Sequence, residues 1–248
     1  MRKSPLRYLI PNAFTASSLL LGFAAVLLSA EGGQTLAAWM ICWGALLDKL
    51  DGAAARLLNA GSSFGAEFDS FADFVVFGIA PGALVWHSCA PLCAEGVLTE
   101  TFLALSCGVY VVCTGARLAR FNSSTPPGGE TIFYGIPTTL SGILISTLYL
   151  TMWSQGLESE LLSHMPLLLA ALGLLMVSPL PLPKLKARKN KLVNLFQMAN
   201  IAGGYLCAPL KLFPEYLLGL GLLYLCVGLV WGQLSADARS LRAGVASF

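Results

Sequence analysis

Four aspartates stand at spacings that carry chemistry. Asp48 and Asp51 lie in the run Asp48-Lys-Leu-Asp51-Gly52-Ala-Ala-Ala55-Arg56, eight residues follow, and Asp69 and Asp73 lie in Gly65-Ala-Glu-Phe-Asp69-Ser-Phe-Ala-Asp73. On a helix, Asp48, Asp51, Gly52, Ala55 and Arg56 share one face, and Asp69 and Asp73, four apart, share a face of the next. Two opposed faces of carboxylate oxygens suit hard divalent ions, Mg²⁺ or Mn²⁺, rather than zinc, and four negative charges match two such ions. Gly52 and Ala55 leave room for a ligand to approach the backbone, and Arg56 can grip a phosphate. Metals, a phosphate grip and small residues together point to phosphoryl chemistry.

The elements that must position these residues are two antiparallel helices, because Asn59, Gly61, Ser62 and Ser63 make a short turn between the halves of the pattern. Apolar sequence surrounds both halves. A carboxylate at the centre of a membrane helix costs about 2.5 to 3.5 kcal/mol on insertion scales, so four would cost roughly 10 kcal/mol if nothing compensated them. A positive partner is therefore expected.

The 248 residues are 56% hydrophobic and 11% charged, with a mean hydropathy of +0.72. Soluble domains carry roughly 25% charged residues, so the chain is expected to be an all-α, polytopic integral membrane bundle. Stretches long enough to cross a hydrocarbon core of about 30 Å fall near 13–30, 35–57, 66–88, 99–119, 135–153, 161–178, 192–210 and 215–235, which predicts eight transmembrane helices. With both termini cytosolic, 13 of the 15 Lys and Arg lie in inner segments, Lys49 lies within a span and Lys211 lies outside. The outer loops then hold Glu31, Glu95, Glu100, Glu158, Glu160 and Glu215. That bias follows the positive-inside rule and opens the aspartate site toward the cytosol.

A net charge of +2, spread over several inner segments, argues against nucleic acid as a partner. The basic loop Lys184-Leu-Lys186-Ala-Arg188-Lys189-Asn-Lys191 reads as a topology and lipid-surface element. Arg2, Lys3 and Arg7 before an apolar run mimic a secretion signal, but Leu28-Ser29-Ala30 lacks the small residue needed at the first cleavage position, so the first span is expected to stay. Seven cysteines exclude complete internal pairing, and only Cys89 and Cys93 are spaced as a candidate disulfide or reactive pair. His87 and His164 lie on the outer side and read as structural. Residues 1–248 are expected to form one membrane domain, without internal repeats.

The pattern from Asp48 to Asp73 resembles the signature of the CDP-alcohol phosphotransferases, D-x-x-D-G-x-x-A-R-x8-G-x3-D-x3-D, with every fixed position present. In that family an acceptor hydroxyl displaces CMP from a CDP-activated alcohol. The resemblance implies that Asp48, Asp51, Asp69 and Asp73 bind two metal ions, that Asp73 is also the general base, and that Gly52, Ala55, Arg56 and Gly65 wall the CDP group. It also implies a homodimer.

Further motifs resemble the phosphatidylserine synthase branch: Pro11-Asn12-Ala-Phe-Thr15, Arg117-Leu-Ala-Arg120-Phe121-Asn122, Phe133-Tyr-Gly135-Ile-Pro137 and Leu175-Met-Val-Ser178. They imply CDP-diacylglycerol as donor and L-serine as acceptor, the products being phosphatidylserine and CMP. Asn12 and Thr15 would face the nucleotide or its phosphates, Arg117 or Arg120 would bind the serine carboxylate bidentately, and Asn122 would meet its amino or carboxylate group. Thr138-Thr139-Leu140 departs from the proline and small residues expected after Pro137. In a bacterium the protein would sit in the inner membrane.

Plainer readings stand beside these. Arg117 and Arg120 at a helix end are also positive-inside anchors favoured by the helix dipole. Asn194, Gln197 and Asn200 line either a cavity or a helix contact. Trp39, Trp43, Trp86, Trp153 and Trp231 read as interfacial aromatics. A cation-coupled transporter would also carry intramembrane carboxylates, but it usually has repeats and broken helices at mid-membrane. Another acceptor, such as inositol phosphate, glycerol 3-phosphate or choline, would keep the chemistry and change the pocket.

Overall fold

The computed structural model describes residues 6–124, 132–157, 161–183, 203, 204 and 206–234. Helix α1 (Leu6–Ala30) packs most extensively on α2 (Gln34–Leu57), and a short turn leads to α3 (Ser63–Asp73). A π-helical segment, Phe74–Ile79, joins α3 to α4 (Ala80–Ala94) without a break. Then come α5 (Glu100–Ser124), strand β1 (Ile132–Tyr134), α6 (Thr138–Gln155), a 3₁₀ turn (Leu162–His164), α7 (Met165–Val177), strand β2 (Pro181–Pro183) and α8 (Pro214–Leu234). The described residues are nearly all helical, as expected; among them the exception is a three-residue antiparallel pairing of β1 with β2.

Among the described residues, three helical stretches are long and apolar enough to cross a membrane: Arg7–Ala30, Ser63–Ala94 and Glu100–Ser123. Leu162–Val177 and Pro214–Val230 are apolar but shorter. Most of the stretch predicted over 192–210, with Asn194, Gln197 and Asn200, lies outside the described residues, as do the basic loop and both termini.

The α2–α3 turn forms for local reasons. Asn59, with φ +48°, ends α2 in the left-handed region, and the Asn59 and Ala60 amides donate to the carbonyls of Arg56 and Ala55, the crossed pair that closes a helix C-terminus. Ser62 then caps α3, its hydroxyl accepting from the Gly65 amide at 3.0 Å. Arg7 on α1 holds the turn from outside by donating to the Asn59 carbonyl at 2.9 Å.

Close helix approach fixes the relation of α1, α2 and the π segment. Val76, fully buried, sits between Gly22 and Gly44, and the Ser18 hydroxyl on α1 donates to the Gly44 carbonyl at 3.0 Å. Lipid supplies no hydrophobic force between helices, so such small-residue contacts and hydrogen bonds carry the packing. Beyond them a core around Phe77, Leu84, Tyr110, Ile145 and Met176 joins the π segment to α4, α5, α6 and α7.

A Cβ on Gly44 would lie 2.5 Å from Val76 Cγ1. Gly44→Ala is expected to destabilise the protein by about 1 to 3 kcal/mol, read as a lower Tm in detergent, and Val76→Ala in the same chain is expected to restore part of it. An unchanged Tm in the single variant would show that the crossing tolerates a wider spacing.

Candidate active site

The capped turn brings α2 and α3 face to face. Oxygens of Asp48, Asp51 and Asp69 all lie within 4.8 Å of one another. Asp73, one turn further along α3, stands outside that trio but within electrostatic reach of Asp48, Asp69 and Arg117. Asp51 is buried, Asp48 and Asp69 half-buried.

Two neighbours support the carboxylates. Thr15 on α1 is buried and donates from Oγ1 to Asp51 Oδ2 at 2.7 Å. Lys49 donates to Asp48 Oδ2 at 3.0 Å and its side chain is 61% exposed. Thr15 was expected to face the nucleotide or its phosphates; the contact its hydroxyl makes here is with a carboxylate of the site. Lys49 was missed because adjacent residues on a helix point apart, and only its long flexible stem brings its ammonium back to Asp48.

The donor set fits a hard divalent ion. Three carboxylates converge with one ammonium beside them, so negative charge is in excess and every donor atom is oxygen. The small residues lie around this centre. The Arg56 guanidinium folds over Gly52, where a Cβ would lie 3.4 Å from its Nη1, and Asn12 Oδ1 lies 3.4 Å from a Cβ placed on Gly65. Ala55 is half-buried on the same helix, and Arg56 is exposed.

The three residues assigned to the acceptor hold different partners. Arg117, 8% exposed, lies within electrostatic reach of Asp73 and donates from Nη1 to Thr138 Oγ1 on α6 at 3.4 Å. Arg120 donates to the carbonyls of Tyr134 at 3.0 Å, Val177 at 3.2 Å and Met176 at 3.3 Å, so its guanidinium fastens β1 and the end of α7 to α5. Asn122 falls on another side of α5, because five residues turn a helix by about 500°, or 140° past a full circle. There it exchanges hydrogen bonds with Ser70, at 3.0 and 3.2 Å, and donates to Glu67 at 3.4 Å. Glu67, Ser70 and Asn122 edge a groove of about 200 Å³ whose walls include Phe71, Phe74 and Leu118. Asp69 and Asp73 project from a different side of α3.

The cysteines are free thiols; Cys93 lies 4.0 Å from the Cys89 carbonyl and is not bonded to Cys89.

Three apolar helices and a convergent carboxylate cluster describe an integral membrane protein with a candidate metal centre. Residues 8–177 match the family model of the CDP-alcohol phosphatidyltransferases, and the chain belongs to that family. It is 32% identical over 222 residues to the CDP-diacylglycerol–serine O-phosphatidyltransferase of Helicobacter pylori strain 26695, covering 88% of this chain and 89% of that one. The enzyme of the same name from Bacillus subtilis strain 168 is 32% identical over 185 residues, covering 71% and 91%. The archaetidylserine synthase of Methanothermobacter thermautotrophicus is 30% identical over 177 residues, covering 71% and 70%.

Thr15→Val removes the hydroxyl at nearly constant volume. It is expected to weaken Mn²⁺ binding about tenfold, the usual scale for an outer partner of a metal ligand, while Thr15→Ser stays near wild type. Equal Mn²⁺ affinity in all three proteins, measured by electron paramagnetic resonance, would remove Thr15 from the site.

Proposed function

We propose that the protein transfers a phosphatidyl group from CDP-diacylglycerol to the hydroxyl of L-serine, giving phosphatidylserine and CMP. The observation that carries this reading is the convergence of Asp48, Asp51 and Asp69 within a family match spanning 8–177. The acceptor rests on relatives named for serine that align over most of the chain. A transporter reading explains neither the family match nor the clustering of the carboxylates at one hairpin.

Asp48, Asp51 and Asp69 would hold divalent cations, Mg²⁺ or Mn²⁺, with Asp73 completing a two-ion set. When bound, such ions neutralise charge on the diphosphate and on the departing CMP. Arg56, exposed beside Gly52, is placed to pair with a nucleotide phosphate, and Asn12, Ala55 and Gly65 wall the same region. The serine oxygen bonds to the phosphorus that remains on the lipid as the bond from that phosphorus to the CMP oxygen breaks. Asp73 takes the hydroxyl proton.

Serine brings its own carboxylate, and Arg117 is the better placed of the two arginines to bind it. Arg117 lies within electrostatic reach of Asp73, whereas the Arg120 guanidinium is directed to three backbone carbonyls. Asn122, hydrogen-bonded to Ser70 and Glu67, is assigned to the α3–α5 contact rather than to serine. The eight-span topology with both termini in the cytosol, and in a bacterium the inner membrane, is supported by the Lys and Arg bias. It lets serine enter from the cytosol while the lipid tails lie among the helices. A homodimer belongs to the same proposal.

CMP release by purified protein with CDP-diacylglycerol and Mn²⁺ or Mg²⁺ is expected to be stimulated by serine and not by inositol phosphate, glycerol 3-phosphate or choline. Stimulation by one of the others alone would move the acceptor within the family. Asp73→Asn is expected to abolish turnover with CDP-lipid binding partly kept; full activity would remove the base assignment. Arg117→Ala is expected to raise the serine KM about tenfold or more while the CDP-lipid KM stays near wild type. Arg120→Ala is expected to lower Tm with little change in serine KM, and the reverse pattern would exchange the two roles.

A further inference from the structure

The helix bearing Asp69 and Asp73 changes its winding immediately after Asp73. Phe74–Ile79 is π-helical, and the Ala80 amide donates to the Val75 carbonyl, five residues back. The sequence supplies a reason. In a regular α-helix the Phe77 carbonyl would accept from residue 81, but residue 81 is proline, which has no amide proton and whose ring collides with the carbonyl four residues earlier. Widening the helix relieves the collision, and the Phe77 carbonyl, denied the donor an α-helix would give it, is open to a donor from outside the segment.

That donor comes from another helix. Tyr110 on α5 donates its hydroxyl to the Phe77 carbonyl at 2.7 Å, and both residues are 0% exposed. A buried carbonyl without a partner is expensive, so the hydroxyl stabilises the widened winding. The segment is also gripped on other sides: Val76 sits between Gly22 and Gly44, a Cβ on Gly142 would lie 2.9 Å from the Phe77 ring, and one on Gly78 would lie 2.9 Å from Thr114. The extra residue rotates everything after it by about 100° relative to an uninterrupted helix. Because α4 and the π segment are packed into the core, the winding determines the angle at which α3 presents Asp69 and Asp73 to α2.

We propose that Tyr110 is a positioning residue for the metal-binding carboxylates: by holding the Phe77 carbonyl, to which Pro81 has no amide to offer, it keeps the π winding that aims Asp69 and Asp73 at Asp48 and Asp51. Tyr110 touches no substrate; its effect passes through the helix backbone. The inference rests on reading the aspartates as metal ligands.

The test measures Mn²⁺ binding to the purified full-length protein by electron paramagnetic resonance, together with Tm and turnover, in wild type, Tyr110→Phe and Pro81→Ala. Tyr110→Phe keeps the ring and is expected to weaken Mn²⁺ about tenfold and to lower kcat by a similar factor, with the serine and CDP-lipid KM values near wild type. Pro81→Ala restores an amide to the Phe77 carbonyl and lets the helix rewind. It is expected to weaken Mn²⁺ similarly while Tm holds or rises, an opposition of binding and stability that a merely structural tyrosine would not produce. Wild-type Mn²⁺ affinity in both variants, or losses that simply follow a falling Tm, would overturn the inference. Absence of Mn²⁺ binding by the wild type would instead overturn the metal reading beneath it. If Tyr110→Phe does not fold, Pro81→Ala decides by the same two readouts.

Discussion

Mutual repulsion among carboxylates is the constraint on which this molecule turns. Asp48, Asp51 and Asp69 converge within 4.8 Å on helices flanked by apolar sequence, where water screens little. Left alone, such a cluster pushes its helices apart. The structure resists by rigidity nearby rather than by pairing each charge. α1 lies along α2 and gives Asp51 the Thr15 hydroxyl, Val76 is seated between two glycines, and the α2–α3 turn is closed at both ends by backbone and side-chain hydrogen bonds. A frame so braced is preorganised for a cation, whose binding would then relieve the repulsion without moving the helices.

The same logic separates the roles of the cations around the site. Lys49 is exposed and flexible and meets Asp48 from the solvent side. Arg117 is buried, where a guanidinium needs charge or hydrogen-bond acceptors nearby, and it finds Thr138 and the field of Asp73. Arg120 spreads its planar fork over three carbonyls, two of them at the end of α7. Such helix-end carbonyls lack amide partners within their own helix, so an arginine there serves as a cap and joins two distant segments of chain.

Much of this was legible in the residues. The signature and its i, i+3, i+4 spacing located the carboxylates, and Asn59 and Ser62 are turn and cap residues whose chemistry is local. Helix positions followed from apolar length, apart from residues outside the described structure. Partners chosen by tertiary packing were hidden. Nothing in the order of residues says that Arg120 meets the backbone of α7 while Arg117, three residues earlier, meets Thr138 on α6; both are basic residues at one helix end. Asn122 was grouped with them by sequence proximity, which a helix turns into angular separation. The π segment was half-visible: Pro81 lies within a stretch read as one regular span, and the tyrosine that tolerates it is 29 residues further on.

The continuous helical stretch Ser63–Ala94 is 32 residues long, roughly 48 Å at 1.5 Å per residue, against a hydrocarbon core of about 30 Å. Even tilted, it overhangs the core. Were the overhang on the Ser63 side, Asp69 and Asp73, six and ten residues into the stretch, would stand at the depth of the lipid headgroups. That is the layer in which a membrane-anchored nucleotide carries its diphosphate and a water-soluble amino acid can arrive without leaving water. In that arrangement the length of one helix would turn a costly intramembrane charge cluster into an interfacial one, at the boundary where lipid and aqueous reactants meet.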